Sequence, residues 1–186
     1  MDNLMRKLPI GIQTFEDIRR NNYIYVDKTA LVWRITTTGK PYFLSRPRRF
    51  GKSLLLSTFE AYFQGRKDLF EGLAISKLET QWEQHPVLHL DLNARKYEKA
   101  ADLTAMLNQY LEKWEAVFGD EKRDRSPEER FSYVIEQAFL RTGHQVVVLV
   151  DEYDKPLLQA INNLELLEEY RQMLKAFYGV LKSTDR

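Results

Sequence analysis

The sequence predicts an α/β fold, in which a mainly parallel β-sheet carries helices on both faces. Residues 146–150 form a continuous apolar run rich in β-branched side chains, which is typical of a parallel strand covered on both faces. Residues 87–92 predict a second core strand, and residues 42–45 predict a third that leads into a helix. Apolar stripes at helical spacing lie between and after these strands.

The strand predicted at residues 42–45 ends in a basic turn, and the helix after it opens with Gly51, Lys52 and Ser53. This order is typical of a phosphate-binding loop, because the glycine lets the backbone approach phosphate and the first helical amides point at it. Lys52 would reach the β- and γ-phosphates, and the Ser53 hydroxyl would hold Mg²⁺. Arg46 replaces the first glycine of the pattern G-x-x-x-x-G-K-[ST]. The triplet alone is also typical of an ordinary turn and helix cap.

Four positive charges surround this turn, namely Arg46, Arg48, Arg49 and Lys52. Because like charges repel, an anionic ligand is expected there, and a triphosphate meets that expectation. Arg48 or Arg49 could also stabilise transition-state charge, as an arginine finger does. The simpler alternative is that both arginines are solvated or paired with carboxylates elsewhere.

An acidic pair, Asp151 and Glu152, follows the apolar run of residues 146–150. Open α/β sheets bind ligands at the carboxyl ends of their strands, where these two side chains would lie. Asp151 is expected to bind Mg²⁺ through water, as a Walker B aspartate does, and Glu152 to polarise the attacking water. In isolation, the pair would be interpreted as caps of the helix that begins near Pro156.

Three motifs together resemble one protein family. They are Tyr25-Val26-Asp27-Lys28-Thr29, Arg46-Pro47-Arg48-Arg49-Phe50-Gly51-Lys52-Ser53 and Val150-Asp151-Glu152-Tyr153-Asp154-Lys155-Pro156. Over residues 8–181 the chain is similar to the AAA-ATPase-like family of bacterial P-loop proteins, in which the first glycine of the loop is usually missing. Those proteins often carry a PD-(D/E)xK nuclease-like domain at the C-terminus.

The resemblance implies a P-loop NTPase fold of the AAA, additional-strand type, which is a three-layer sandwich with a mainly parallel sheet. It also implies ATP and Mg²⁺ as cofactors, with hydrolysis of the β–γ bond by the complete protein. Lys52 and Glu152 would be catalytic, and Ser53 and Asp151 would hold the metal ion. The nucleotide-binding residues would be Arg48, Arg49, Phe50, Gly51, Lys52, Ser53 and Leu54.

The composition, 44% hydrophobic and 30% charged over 186 residues, is typical of one soluble globular domain. The net charge of +1 argues neither for nor against nucleic acid as a partner. The absence of cysteine excludes disulfides, thiolate chemistry and cysteine-bound zinc. No apolar run is long enough for a membrane helix, so we expect a cytoplasmic protein without a membrane partner.

Local signals predict the remaining helices. Apolar stripes cover residues 103–118 and 166–181, and a capping box at Ser126 and Glu129 predicts a helix that ends at Gly143. His89 and Asp91 would share one face of the strand at residues 87–92. We expect them to satisfy each other or nearby backbone groups, since the sequence places no nucleophile to complete a catalytic triad.

After the last helix no β-rich run follows, whereas the resembled family has a strand with a polar sensor residue there. We therefore expect residues 1–186 to be a partial domain that lacks this strand and any C-terminal domain. The neighbours of the missing strand would close the gap or pair with another chain, which leaves a homo-oligomer or a partner protein open. Two rival functions remain: a nucleotide-binding switch or interaction module without significant turnover, and, ranked lower, a nucleic-acid-binding protein that uses residues 46–52.

Overall fold

The computed structural model of the chain describes residues 6–39, 41–45, 47 and 50–183. It forms two compact units, Met1–Val87 and Leu88–Arg186. The described helices and strands are α1 (Phe15–Arg20), α2 (Thr29–Thr36), α3 (Lys52–Phe63), β1 (Val87–Asp91), α4 (Ala100–Phe118), α5 (Pro127–Thr142), β2 (Val147–Asp151), α6 (Lys155–Gln159) and α7 (Leu164–Ser183). Short 3-10 helices lie at Lys67–Phe70, Ala74–Lys77 and Leu92–Ala94. Among the helices described, none combines the length and the apolar character needed to cross a membrane.

The first unit packs its helices around an aromatic core. Phe15 of α1 and Phe70 are fully buried with ring centroids 4.8 Å apart, and the Trp82 ring lies 5.1 Å from that of Phe70. Asp27 caps the start of α2, because its Oδ1 accepts a hydrogen bond from the Thr29 amide at 2.8 Å. Its Oδ2 accepts from the Ala74 amide at 2.7 Å, which ties α2 to the second 3-10 helix.

The strand predicted at residues 42–45 is absent. These residues have no regular secondary structure, and apart from Val87, which begins β1, the described residues of the first unit contain no β-strand. Lys7 and Tyr23 form a single parallel bridge instead. An apolar segment becomes a strand only where a neighbouring strand pairs with it along its length, and within the described part of this unit residues 42–45 form no such ladder.

The second unit contains a small parallel sheet of β1 and β2. The chain passes from one strand to the other through α4 and α5, as a parallel pair requires. These strands confirm the predictions at residues 87–92 and 146–150, and with them the mixed α/β class. Leu88 and Leu90 are buried while His89 and Asp91 lie on the other, half-buried face, as the alternation predicts. In the described residues the sheet has two strands.

Helices α4, α5 and α7 form the core of the second unit. The Phe131 ring of α5 stacks on Phe177 of α7 with centroids 4.3 Å apart, and lies 5.7 Å from Trp114 of α4. The predicted capping box is confirmed, since the Ser126 amide donates to Glu129 Oε2 at 3.2 Å. Gly143 follows the last residue of α5 with a φ of 70°, as the sequence predicts for the end of this helix.

Candidate functional site

The segment before α3 is exposed wherever it is described. Phe43 exposes 69% and Phe50 63% of its surface. Arg46, Arg48 and Arg49, which the sequence predicts as part of the loop, lie outside the described residues. The described part of the predicted loop is therefore Phe50, Gly51 and the first turn of α3.

Gly51 is the residue that turns the chain into α3. Its φ of 74° and ψ of 27° lie in the left-handed region, which glycine enters without the steric cost that a Cβ brings. Helix α3 begins at Lys52, and the Leu55 amide donates to the Gly51 carbonyl at 3.0 Å. In an α-helix that first bond leaves the amides of Gly51, Ser53 and Leu54 without an acceptor inside the helix. The predicted order of glycine, lysine and serine at a helix start is thus present.

The start of α3 also lacks an acidic neighbour in sequence. Its first turn contains no aspartate or glutamate, and within the described residues no side chain caps it. By contrast, α5 has Ser126 as its N-cap and both Glu128 and Glu129 in its first turn. The positive end of the α3 dipole is therefore not balanced by an acid of its own first turn.

Helix α3 is held by the other helices of the first unit. The Phe15 amide, at the start of α1, donates to Ser57 Oγ at 2.9 Å. Thr58 is fully buried and its hydroxyl donates back to the Leu54 carbonyl at 2.8 Å. The predicted α/β fold would place this helix on a face of the sheet. Its contacts within the first unit are instead to α1 and to the aromatic core, because its broad apolar face suits large rings as well as a sheet.

The two predicted carboxylates lie together at the end of β2 in the second unit. Asp151 is the last residue of β2 and exposes 7% of its surface. The Glu152 amide donates to Asp151 Oδ1 at 3.0 Å. Glu152 has a φ of 51°, in the left-handed region that non-glycine residues seldom adopt. Backbone strain of this kind is concentrated at functional sites.

The end of β1 carries a second polar turn. Asp91 Oδ1 accepts from the Asn93 amide at 2.8 Å, which confirms that Asp91 is satisfied by nearby backbone. The Tyr110 hydroxyl accepts from the Asp91 amide at 3.3 Å and donates to the Asp91 carbonyl at 3.1 Å. Burial raises the pKa of Tyr110, which favours the protonated hydroxyl that donates this bond.

Lys155 reaches this polar turn from the beginning of α6. Its Nζ donates to the carbonyl oxygen of Asn93 and, at 3.0 Å, to Asn93 Oδ1. The sequence analysis did not find this contact, because no spacing rule relates residues 62 positions apart. The only sequence signal was the position of Lys155 inside the third family motif.

Ser53 belongs to the first unit and Asp151 to the second, so the two predicted magnesium ligands lie on separate units. In the portion of the chain that is described, no group of three or more histidine, aspartate or glutamate side chains is arranged to hold a metal ion. The donor types, a hydroxyl and a carboxylate, nevertheless suit Mg²⁺, which prefers oxygen ligands and retains several waters.

The chain is similar to proteins already described. It is 42% identical over 181 residues to an "Uncharacterized protein in vnfD 5'region" of Azotobacter chroococcum mcd 1. That match covers 97% of this chain but 35% of the relative, so the chain spans about a third of the relative's length. No solved structure matches the chain significantly. A family model described as "Predicted AAA-ATPase" matches residues 9–186, and the chain therefore belongs to the AAA-ATPase-like family.

Proposed function

We propose that this chain binds ATP together with Mg²⁺, and that the complete protein hydrolyses the β–γ phosphate bond. The observation that carries the proposal is the start of α3, where a left-handed Gly51 precedes Lys52 and Ser53 at the head of a twelve-residue helix. Amides and the dipole at such a helix start favour an anion, and the lysine and hydroxyl follow in the order of a phosphate-binding loop. Membership of a predicted AAA-ATPase family supports a nucleotide as that anion.

The proposal gives the loop residues distinct roles. The amides around Gly51 hold the phosphates, and the Lys52 ammonium neutralises their β and γ oxygens. The Ser53 hydroxyl is a Mg²⁺ ligand. Phe50, Gly51, Leu54 and the arginines at positions 48 and 49 complete the nucleotide-binding segment.

The two carboxylates at the end of β2 have separate roles. Asp151 binds Mg²⁺ through water, and Glu152 orients and polarises the water that attacks the γ-phosphate. The positive φ of Glu152 supports this assignment, because strain of this kind is kept where surrounding contacts and function require it. Lys52 also acts in catalysis by offsetting the charge that develops on the transferred phosphoryl group.

The proposal is tested by calorimetric titration of ATP, with and without Mg²⁺, into the parent chain and Lys52→Ala. Charge-assisted hydrogen bonds contribute about 1.5–3 kcal/mol each, so Lys52→Ala should weaken ATP binding by about 10- to 100-fold. Binding should also weaken when Mg²⁺ is omitted. Equal affinity of the parent and Lys52→Ala would refute the assignment.

A matched pair of glycines separates loop function from backbone strain. Gly51 and Gly72 have φ values of 74° and 76°, and among described atoms nothing lies within 4 Å of a Cβ built on either residue. Alanine at either position should therefore cost about 1–2 kcal/mol of stability through the backbone alone. Only Gly51→Ala should also lower ATP affinity, and an equal loss of affinity in Gly72→Ala would contradict the proposal.

Turnover distinguishes the remaining candidate functions. Glu152→Gln should bind ATP as the parent does but hydrolyse it about 100-fold more slowly, since it cannot accept a proton from water. Tight binding without turnover in the parent and in the complete protein would indicate a nucleotide-binding switch. Binding of nucleic acid that needs no Mg²⁺ and falls steeply with salt would favour backbone-phosphate recognition instead.

A further inference from the structure

Helix α6 is tied to the segment that follows β1 at two points. Lys155, its first residue, donates to the carbonyl oxygen and the Oδ1 of Asn93. Gln159, its last residue, accepts from the Tyr97 amide at 2.8 Å through Oε1. Because α6 begins three residues after Glu152, these bonds join the turn after β2 to the turn after β1.

The turn after β2 is strained and depends on local contacts. Glu152, at a φ of 51°, carries a cost of about 1–2 kcal/mol for a residue with a Cβ. Two hydrogen bonds close the turn: the Glu152 amide to Asp151 Oδ1 and the Lys155 amide to the Glu152 carbonyl, both at 3.0 Å. A strained backbone relaxes unless contacts around it prevent this. The hydrogen bonds of Lys155 therefore affect the position of the Glu152 carboxylate.

The turn after β1 provides a fixed anchor for Lys155. The Asn93 amide is bound to Asp91 Oδ1 at 2.8 Å, and the Tyr110 hydroxyl of α4 contacts both backbone groups of Asp91. Asn93 therefore belongs to a hydrogen-bonded strand end. The ammonium of Lys155 binds a carbonyl and an amide oxygen of this residue, which no apolar side chain can do.

We propose that Lys155 is a positioning residue that holds the Asp151–Glu152 turn in its strained conformation through Asn93, and so aims Glu152 at its water. The proposal rests on the proposed ATP hydrolysis. The position of Lys155 as the first residue of α6 supports the proposal, because a cation there opposes the helix dipole and does not stabilise the helix. Lys155 touches no substrate in this scheme and acts only through the turn.

The test measures ATP affinity and single-turnover hydrolysis of the complete protein, and it compares the parent sequence with Lys155→Met, Lys155→Arg and Lys175→Met. Lys175, exposed on α7, is the matched control for loss of a lysine charge. Lys155→Met should keep ATP affinity within about twofold while hydrolysis falls by about 10- to 100-fold, the range expected from misplacing a catalytic group. Lys155→Arg can still donate to both oxygens of Asn93 and should recover most of the rate, and Lys175→Met should match the parent.

A variant of Asn93 tests the acceptor side of the contact with Lys155. Asn93→Ala removes the Oδ1 acceptor and should lower the rate of hydrolysis in the same way. The double variant Asn93→Ala with Lys155→Met should be no slower than Lys155→Met alone, because both changes disrupt the same contact between Lys155 and Asn93. Additive losses would overturn the proposal. So would parental rates in Lys155→Met, or losses of affinity and rate that are the same in Lys155→Met and Lys155→Arg. A complete protein that binds ATP without hydrolysing it would also overturn the proposal. A folded parent that fails to bind ATP would instead refute the proposed function, and this inference with it.

Discussion

Replacement of Arg130 by methionine should destabilise the second unit by about 3–5 kcal/mol, because it would leave the Glu115 carboxylate buried without its main partner. The two side chains expose 6% and 1% of their surface, and they join α5 to α4. Arg130 Nε and Nη2 donate to the two oxygens of Glu115 at 2.6 and 2.8 Å, and Nη1 donates to Asn108 Oδ1 at 2.7 Å. This geometry is bidentate and nearly water-free.

Arg123 provides the matched control in the same structure. Its Nε lies 3.6 Å from Glu115 Oε2, but its side chain is 57% exposed. Surface ion pairs contribute about 0–1 kcal/mol, so Arg123→Met should cost less than about 1 kcal/mol although it removes the same charge. The double variant Glu115→Leu with Arg130→Met replaces the pair by apolar side chains and should recover most of the stability that Arg130→Met loses.

Urea denaturation followed by circular dichroism and tryptophan fluorescence measures these changes. With an m-value of about 1–3 kcal/mol/M, a loss of 3 kcal/mol would lower the midpoint by about 1–3 M. Trp114 packs on Phe131 beside the pair and should report the transition of α4 and α5. Two results would show that the pair is not desolvated as described. One is a loss of unfolding free energy below about 1 kcal/mol for Arg130→Met, and the other is a double variant that is less stable than Arg130→Met alone.

Two further predictions concern stability. The Arg130 guanidinium holds the pKa of Glu115 below its usual value of 4.5, so the stability that the pair contributes is fully present above pH 4.5 and is lost as the pH falls through the folded-state pKa. In urea titrations, the deficit of Glu115→Gln relative to the parent should therefore be constant from about pH 7 to pH 5 and shrink only below pH 4.5; shrinkage above that pH would contradict the assignment. Thr29→Val should cost about 1–3 kcal/mol, because the buried Thr29 Oγ1 donates to Asp27 Oδ1 and accepts from the Ile75 amide. The exposed Thr37→Val should stay within about 0.5 kcal/mol of the parent in the same denaturation assay, and equal losses would refute the role of Thr29.

Several elements could be predicted from the sequence because their signals are local. The capping box at Ser126 and the glycine at position 143 bound α5 within one residue, since caps satisfy backbone groups of the same helix. The apolar residues of β1 and β2 were themselves sufficient to predict buried strands. The glycine, lysine and serine at the start of α3 were also predictable, because a helix start and its left-handed glycine depend on adjacent residues.

Other features depend on which segments meet. Residues 42–45 have the composition of a strand, but strand formation needs a partner that local sequence cannot name. The apolar stripe of α3 was predictable, whereas its packing on α1 was not, because the same stripe suits a sheet or a helix. The positive φ of Glu152 likewise arises from contacts that no propensity predicts.

The sequence by itself therefore determined the α/β class, the two strands of the sheet, the boundaries of α5 and the order of chemical groups at the start of α3. Each of these follows from periodicity or from contacts between near neighbours in the chain. Tertiary structure alone decided that Glu115 pairs with Arg130 and that Lys155 pairs with Asn93. The physical reason is that a charged side chain can bind any acceptor that folding brings within reach, and its own sequence neighbours do not specify which one.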